Sequence, residues 1–215
     1  MLMRHGERTQ ITDAAKADQA MLTDSGIREA KRMGAEVGAE YPQVQLFHSP
    51  VPRCGQTAKA IEEGNDSPHL GMINHGPNEA LFPPFTPEHV QRFQNDHLSH
   101  YDDTGFVRAW LGQTLDGRHY PDPQQAAEAQ LLFLRERRRR YPGLHLHISH
   151  DCNILLMMQS FMEIAPQEHL WPNFLEPLLL TMTGDDGITF HYRDHETTLT
   201  VKNDAPSTLC EIRSA

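Results

Sequence analysis

The sequence predicts an α/β fold built on a parallel sheet, with a small insertion over one end, and three observations carry that expectation. Short apolar runs suited to buried strands, at residues 44–47 and 144–148, are each followed closely by a helical pattern, the strand–loop–helix order of parallel α/β proteins. The arginine- and histidine-bearing segments at residues 4–8, 49–53 and 150–151 fall where such strands stop, which is where parallel sheets bind ligands. The chain of 215 residues suits one domain, 1–215, able to bury a core, and shows neither an internal repeat nor a second domain.

Taken in order, residues 1–3 read as the end of a strand. An ordinary strand has about five or six residues, so this one is either unusually short or has lost upstream residues, which leaves room for a removed signal peptide. Residues 10–21 are polar and alanine-rich and read as a surface loop with a helical turn. Thr23, Asp24 and Ser25 offer helix N-caps. Ile27, Ala30, Met33, Gly34 and Val37 then recur at helical spacing. Gly34 and Gly38 would let that helix approach a sheet closely, at some cost in helix propensity. The strand at 44–47 hands over Ser49 to Arg53, and a helix over 56–63 stops at Gly64. From 65 to 123 the pattern weakens under Pro77, Pro83, Pro84, Pro87 and Pro121. One or two short helices are expected between 85 and 111, with Pro87-Glu88-His89 as a start. The stretch 84–122 is read as a cap over the site, because long irregular segments of compact domains often carry function; the plainer alternative is a mobile surface excursion. Asp122-Pro123 opens a helix, with Asp as N-cap and Pro in the first turn, that runs to Arg140. Its all-arginine end, 137–140, suits the helix dipole better than a polyanion site. The strand 144–148 delivers His150 and Asp151, and an apolar helix follows over 153–161. Residues 178–182 and 188–192 make an antiparallel hairpin around Gly184-Asp185-Asp186-Gly187, and 197–201 adds an edge strand.

The charge balance, 19 basic against 29 acidic side chains for a net −10, disfavours nucleic acid or an anionic membrane as a general partner. It also makes arginines grouped in motifs more telling. No apolar run approaches a membrane span and no signal peptide is visible, so a cytoplasmic location is expected. The cysteines are Cys54, Cys152 and Cys210, too few and too odd in number for a disulfide framework. Cys54 and Cys152 each follow a motif residue directly and read as small buried apolar groups.

The chemistry concentrates in Met3-Arg4-His5-Gly6-Glu7-Arg8-Thr9. Two arginines four residues apart can converge on one small anion, because each guanidinium is a planar fork of donors that fits phosphate oxygens and stays charged. A histidine between them is placed to attack what they hold, and the glycine lets the backbone turn beside the ligand.

Arg4-His5-Gly6 with Arg8 resembles the signature of the histidine phosphatase superfamily. Ser49-Pro50-Val51-Pro52-Arg53-Cys54-Gly55-Gln56-Thr57-Ala58 resembles its second arginine segment, Leu22-Thr23 with Gly26 a recurrent pattern ahead of the first helix, and Ser149-His150-Asp151 the His-Asp pair of the acid phosphatase branch. The three motifs that carry arginine or histidine, in the expected order, are a strong signal where one would be weak. The resemblance implies a three-layer α/β/α sandwich of the phosphoglycerate mutase type. It implies a phosphomonoester hydrolase whose His5 becomes phosphorylated, with Arg4, Arg8, Arg53 and His150 binding the phosphoryl group and Asp151 acting as general acid and base. The residue types make those roles chemically sensible. No metal or cofactor is expected, since the arginines supply the positive charge, and the expected partner is a small phosphorylated substrate.

The superfamily's other branch takes its proton from a mid-chain glutamate. Asn78-Glu79-Ala80-Leu81-Phe82-Pro83 resembles that region, but Pro83 stands where the acid is expected. Asp151 is therefore preferred over Glu79, which reads as a loop carboxylate. One departure from the acid phosphatase pattern is Thr9-Gln10 after Arg8, where that branch continues through one residue to proline. Alternatives at this stage are a mutase-like phosphotransferase, a zinc hydrolase using His145, His147, His150 and Asp151, and a non-catalytic phosphate-binding protein. The zinc reading leaves the arginines unused.

Overall fold

The computed structural model describes residues 1–11, 14–65, 71–97, 103–184 and 187–201. Its strands are β1 (Leu2–Arg4), β2 (Gln43–His48), β3 (Gly71–Pro77), β4 (Leu144–Ser149), β5 (Pro177–Thr183), β6 (Gly187–Tyr192) and β7 (His195–Thr200). They form one sheet in the order β3-β2-β4-β1-β5-β6-β7. The first four run parallel, and β5, β6 and β7 add on antiparallel beside β1. The hairpin and the edge strand are where the sequence puts them; the turn residues Asp185 and Asp186, and Cys210, lie outside the described residues. Strand β3 has no counterpart in the sequence reading. Among the described residues it pairs only with β2, and its segment Gly71-Met72-Ile73-Asn74-His75-Gly76-Pro77 lacks both the alternation and the apolar content of a buried strand.

Helices α1 (Asp24–Glu40), α2 (Pro52–Gly64), α3 (Pro87–His97), α4 (Asp103–Leu111), α5 (Pro123–Arg140) and α6 (Asp151–Met162) cover the sheet. Alternation along the strands sends Met3, Leu46 and Ile148 to one face, with Ala30, Cys54 and Ile61 of α1 and α2. Leu2 and Phe47 go to the other, with Leu131 and Leu134 of α5 and Ile154, Leu155 and Met158 of α6. The result is the expected three-layer sandwich. The second core continues without a break into Phe93 of α3 and Phe106, Val107 and Trp110 of α4, so the segment read as a cap shares buried surface with the sheet. No helix among the described residues is long and apolar enough to cross a membrane.

The glycines of α1 serve a different contact from the one expected. A methyl group on Gly34 would stand 2.0 Å from the Ile61 carbonyl oxygen, and one on Gly64 would stand 1.9 Å from that of Lys31. Gly38 faces Asn65. The close approach is therefore of α1 to α2, backbone against backbone, and not of α1 to the sheet.

Two helices also begin earlier than the sequence pattern implies. Helix α2 starts at Pro52, which suits a first turn because its missing N–H has no partner to lose, so Arg53 lies within the helix rather than in the loop. Helix α6 starts at Asp151, with His150 as N-cap.

Candidate active site

Three parallel strands lie side by side in the order β2-β4-β1, and their ends are level. His48 pairs with Ile148, and Arg4 pairs with Ser149. The segments that follow them, Ser49 to Arg53, His150 to Asp151 and His5 to Arg8, therefore emerge at one edge. The His5 amide donates to the Ser149 carbonyl at 3.0 Å, and the Ser49 amide to that of Ile148 at 2.8 Å. Both α2 and α6 start at this edge, so their N-terminal dipoles favour an anion there.

The loop after β1 is clamped by residues whose role the sequence does not declare. Gly6 donates its amide to Thr57 Oγ1 at 3.0 Å, and Leu22 donates to Gln56 Oε1 at 2.9 Å. Thr23, the N-cap of α1, donates its hydroxyl to Glu7 Oε2 at 2.6 Å and accepts from the Gly26 amide at 3.0 Å. A side chain on Gly26 would strike the Glu7 carbonyl at 2.3 Å. The Gln-Thr pair that marks the second motif thus holds the first motif in place.

His5 and His150 are both buried. His5 Nδ1 donates to the Gly6 carbonyl at 2.8 Å, which fixes the tautomer and leaves the Nε2 lone pair exposed to the site. Arg53 Nε donates to that lone pair at 2.9 Å. The same guanidinium places Nη2 3.3 Å from His150 Nδ1 and donates Nη1 to the Ala17 carbonyl at 2.7 Å. Because Arg53 has only protons to offer, His150 Nδ1 is the acceptor and its Nε2 donates to Ser49 Oγ at 3.0 Å. Both rings stay neutral. Burial, then the charges of Arg53 and Arg4, lower the His5 pKa to about 3, against the partial opposition of its bond to Gly6 and of Asp151. Burial and Arg53 likewise hold His150 well below the ordinary histidine value.

Arg4 is engaged on several sides. Nη1 donates to the Pro172 carbonyl at 2.7 Å, Nη2 pairs with Asp151 Oδ2 at 2.8 Å, and the guanidinium lies 4.3 Å above the Phe174 ring. Its buried Nε has no hydrogen-bond partner among the described residues. Asp151 also accepts from Trp171 Nε1 at 3.0 Å and from the Cys152 amide at 2.9 Å. Burial alone would raise its pKa, but Arg4 and these donors win, and the carboxyl is held below its usual range. Trp171 and Phe174 were not singled out from sequence, since their loop carries no periodic or motif signal. The loop is pinned by Arg193, which bonds Glu176 Oε1 at 2.7 Å and the carbonyls of His169 and Trp171.

Arg4, His5, Arg8, Arg53, His150 and Asp151 line one cavity. All six residues proposed from sequence are thus brought together, and Arg8 Nη1 donates to the Thr9 carbonyl at 3.1 Å. Ile11, Ala17 and Asp18 also line it. The segment read as a surface loop does hold a helical turn, the 3-10 helix Ala14–Gln19, but it forms part of the site wall.

A sequence model of the histidine phosphatase superfamily, branch 1, matches residues 1–181. The chain belongs to the histidine phosphatase superfamily. Among solved structures, the chain is similar to the protein histidine phosphatase SixA in complex with tungstate, at 18% identity and a TM-score of 0.52, over 89% of this chain and 92% of that one. It is also similar to mycobacterial hydrolase 2, at 12% identity and a TM-score of 0.54, over 98% and 91%, and to mycobacterial hydrolase 1, at 13% identity and a TM-score of 0.52, over 95% and 97%. No curated protein matches the chain. The fold is that of the phosphoglycerate mutase-like histidine phosphatases.

The match is to branch 1, whereas Ser149-His150-Asp151 resembles the acid phosphatase branch, so the acid phosphatase subtype does not carry over from the family. The two candidate acids differ in position. Glu79 is exposed, in the 3-10 turn Glu79–Leu81, and lines an adjoining cavity that shares Phe82 and Pro83 with that of His5 but includes neither His5 nor Asp151. Pro83, at the place where a branch 1 acid is expected, does line the cavity with His5. The histidines of the zinc alternative are also split. His145 and His147 share a face of β4, 5.7 Å apart, and line another cavity that His150 does not reach. Among the described residues no cluster of three or more His, Cys, Asp or Glu has the spacing of a metal site. Cys54 and Cys152 are buried free thiols, and burial pushes Cys54 up to about 12, which makes it inert at neutral pH.

Proposed function

We propose that the protein hydrolyses small phosphomonoesters through a phosphohistidine on His5. The observation that carries this reading is the state of that ring: neutral, its Nδ1 tied to a carbonyl, its Nε2 lone pair aimed at a guanidinium. A nucleophile needs that lone pair, and here it points to where phosphate oxygens would be gathered.

In the proposed sequence, Arg53 transfers its hydrogen bonds from the two histidines to the phosphoryl oxygens, joined by Arg8 and Arg4. Nε2 attacks phosphorus and the ester P–O bond breaks. The leaving oxygen takes a proton from Asp151, which can hold one once the bound phosphoryl group has drawn Arg4 away from it. Water then attacks phosphorus, returns a proton to Asp151, and the P–N bond breaks to free His5 and phosphate. His150 supports the phosphoryl oxygens once its Nδ1 carries the proton, with Nε2 then accepting from the Ser49 hydroxyl. The likeness to a phosphatase structure that holds tungstate, a tetrahedral oxyanion, agrees with this use of the site.

Rapid-quench labelling with a phosphomonoester is the test. It should trap one acid-sensitive phosphoryl group per chain, absent in His5→Ala. Undiminished labelling or full turnover in His5→Ala defeats the proposal.

A further inference from the structure

The phosphate-binding floor accounts for only part of the cavity. Its remaining wall comes from the segment after β3 and from α3, α4 and the loop after α6, in Phe82, Phe85, Val90, Phe106, Val107 and Trp171. This wall is built into the core: the Phe85 ring meets those of Phe106 and Trp110 edge-on at 4.8 and 5.3 Å, and Phe106 and Trp110 are buried. Among the described lining residues, the one charged side chain outside the floor is Asp18.

The cations are also confined to the floor. Arg4, Arg8 and Arg53 share it with Asp151, and among the described lining residues no cation lies outside it. A carboxylate or second phosphate on the alcohol part of a substrate would lose its hydration against aromatic rings and face Asp18, while Arg108, whose guanidinium lies 5.9 Å from the Trp171 ring, does not line the cavity.

We propose that this site selects phosphomonoesters of apolar alcohols, aliphatic or aromatic, and rejects esters whose alcohol carries an acid. This rests on the phosphatase reading for turnover but not for binding. Phe85, Val90 and Val107 grip the alcohol, and Asp18 excludes the acidic competitors.

Non-hydrolysable phosphonates separate the two proposals. Calorimetry with methyl-, propyl- and hexylphosphonate should show affinity rising roughly threefold to fourfold per methylene, the worth of burying a CH₂. 3-Phosphonopropionate should bind at least about tenfold more weakly than propylphosphonate, as expected for one uncompensated charge. In Asp18→Lys, an exposed position, that ratio should shrink or reverse. A flat chain-length series, or tighter binding of the acidic phosphonate, overturns the inference, and an unchanged ratio in Asp18→Lys removes Asp18 from it. Turnover is read separately with phenyl phosphate and hexyl phosphate: absence of turnover defeats the phosphatase reading, while the phosphonate series still decides the pocket.

Discussion

A general acid has to hold a proton that Asp151, as packed in this structure, gives up. Arg4, the Trp171 indole and the Cys152 amide all favour its carboxylate. Protonation requires the phosphoryl dianion to compete for Arg4, and the chance of finding the proton there grows as pH falls. With alkyl phosphates, kcat should therefore rise between about pH 8 and about pH 6. Asp151→Asn keeps the shape and removes the proton. It should slow alkyl phosphates by about 10²-fold or more and aryl phosphates much less, since a good leaving group needs little protonation. Glu79→Gln, exposed and outside the lining of the cavity that holds His5, should change neither class appreciably. The reverse pattern, with the leaving-group-dependent loss in Glu79→Gln, would move the acid to the position used by the other branch.

At the scale of elements, the site depends on how α1 and α2 pack. Helix α1 presents Thr23 and Gly26 to the loop carrying His5, and α2 presents Arg53, Gln56 and Thr57 to the same loop. The spacing of the two helices therefore sets the position of the nucleophile relative to Arg53. That spacing is set by Gly34 and Gly64, each against a carbonyl of the other helix. Gly34→Ala gains about 1 kcal/mol of helix propensity, yet its methyl cannot fit without separating the helices. Overpacking should win, with a net loss of about 2 kcal/mol, or a Tm lower by about 4–8 °C for a chain of this size. Activity should fall further than stability explains, because small displacements of reacting groups are costly. A variant as stable and active as the parent would show that the helix contact is not the constraint described.

Across the whole molecule, burial keeps several histidines neutral. Burial is the first cause in each case; it lowers His5 to about 3 and His145 to about 4, and sets His147 and His150 well below the ordinary value. In the unfolded chain these groups titrate near about 6.5. Between that value and the folded pKa values the unfolded state binds more protons, so stability rises with pH and is lost as pH falls. Above about pH 7 the effect vanishes. Below about pH 6 each fully buried group costs roughly 1.4 kcal/mol per pH unit. The urea midpoint should be flat from about pH 7 to pH 8 and drop steeply from about pH 6 to pH 5. A midpoint that holds or rises on acidification contradicts neutral buried histidines. Activity on the acid side should accordingly be limited by unfolding.

The sequence by itself determined the parallel α/β order, the three motif segments at strand ends and the six residues that share the cavity. The strand and helix order follows from local signals, apolar runs and N-caps such as Thr23 and Asp122, while the set of site residues followed from the resemblance of their motifs to the histidine phosphatase superfamily. What only the tertiary structure decided is how those residues are held. Strand β3 is an edge with no pattern of its own, and the glycines of α1 turned out to serve α2. The Ala14–Gln19 turn, Trp171 and Phe174 entered the site from segments without motif or periodicity. The protonation states also needed three dimensions. The His5 pKa answers first to burial, and that of Asp151 to a contest between burial and an arginine 147 positions away in sequence. Such quantities depend on desolvation and on distances of a few ångström between groups remote along the chain, which order in sequence does not encode locally.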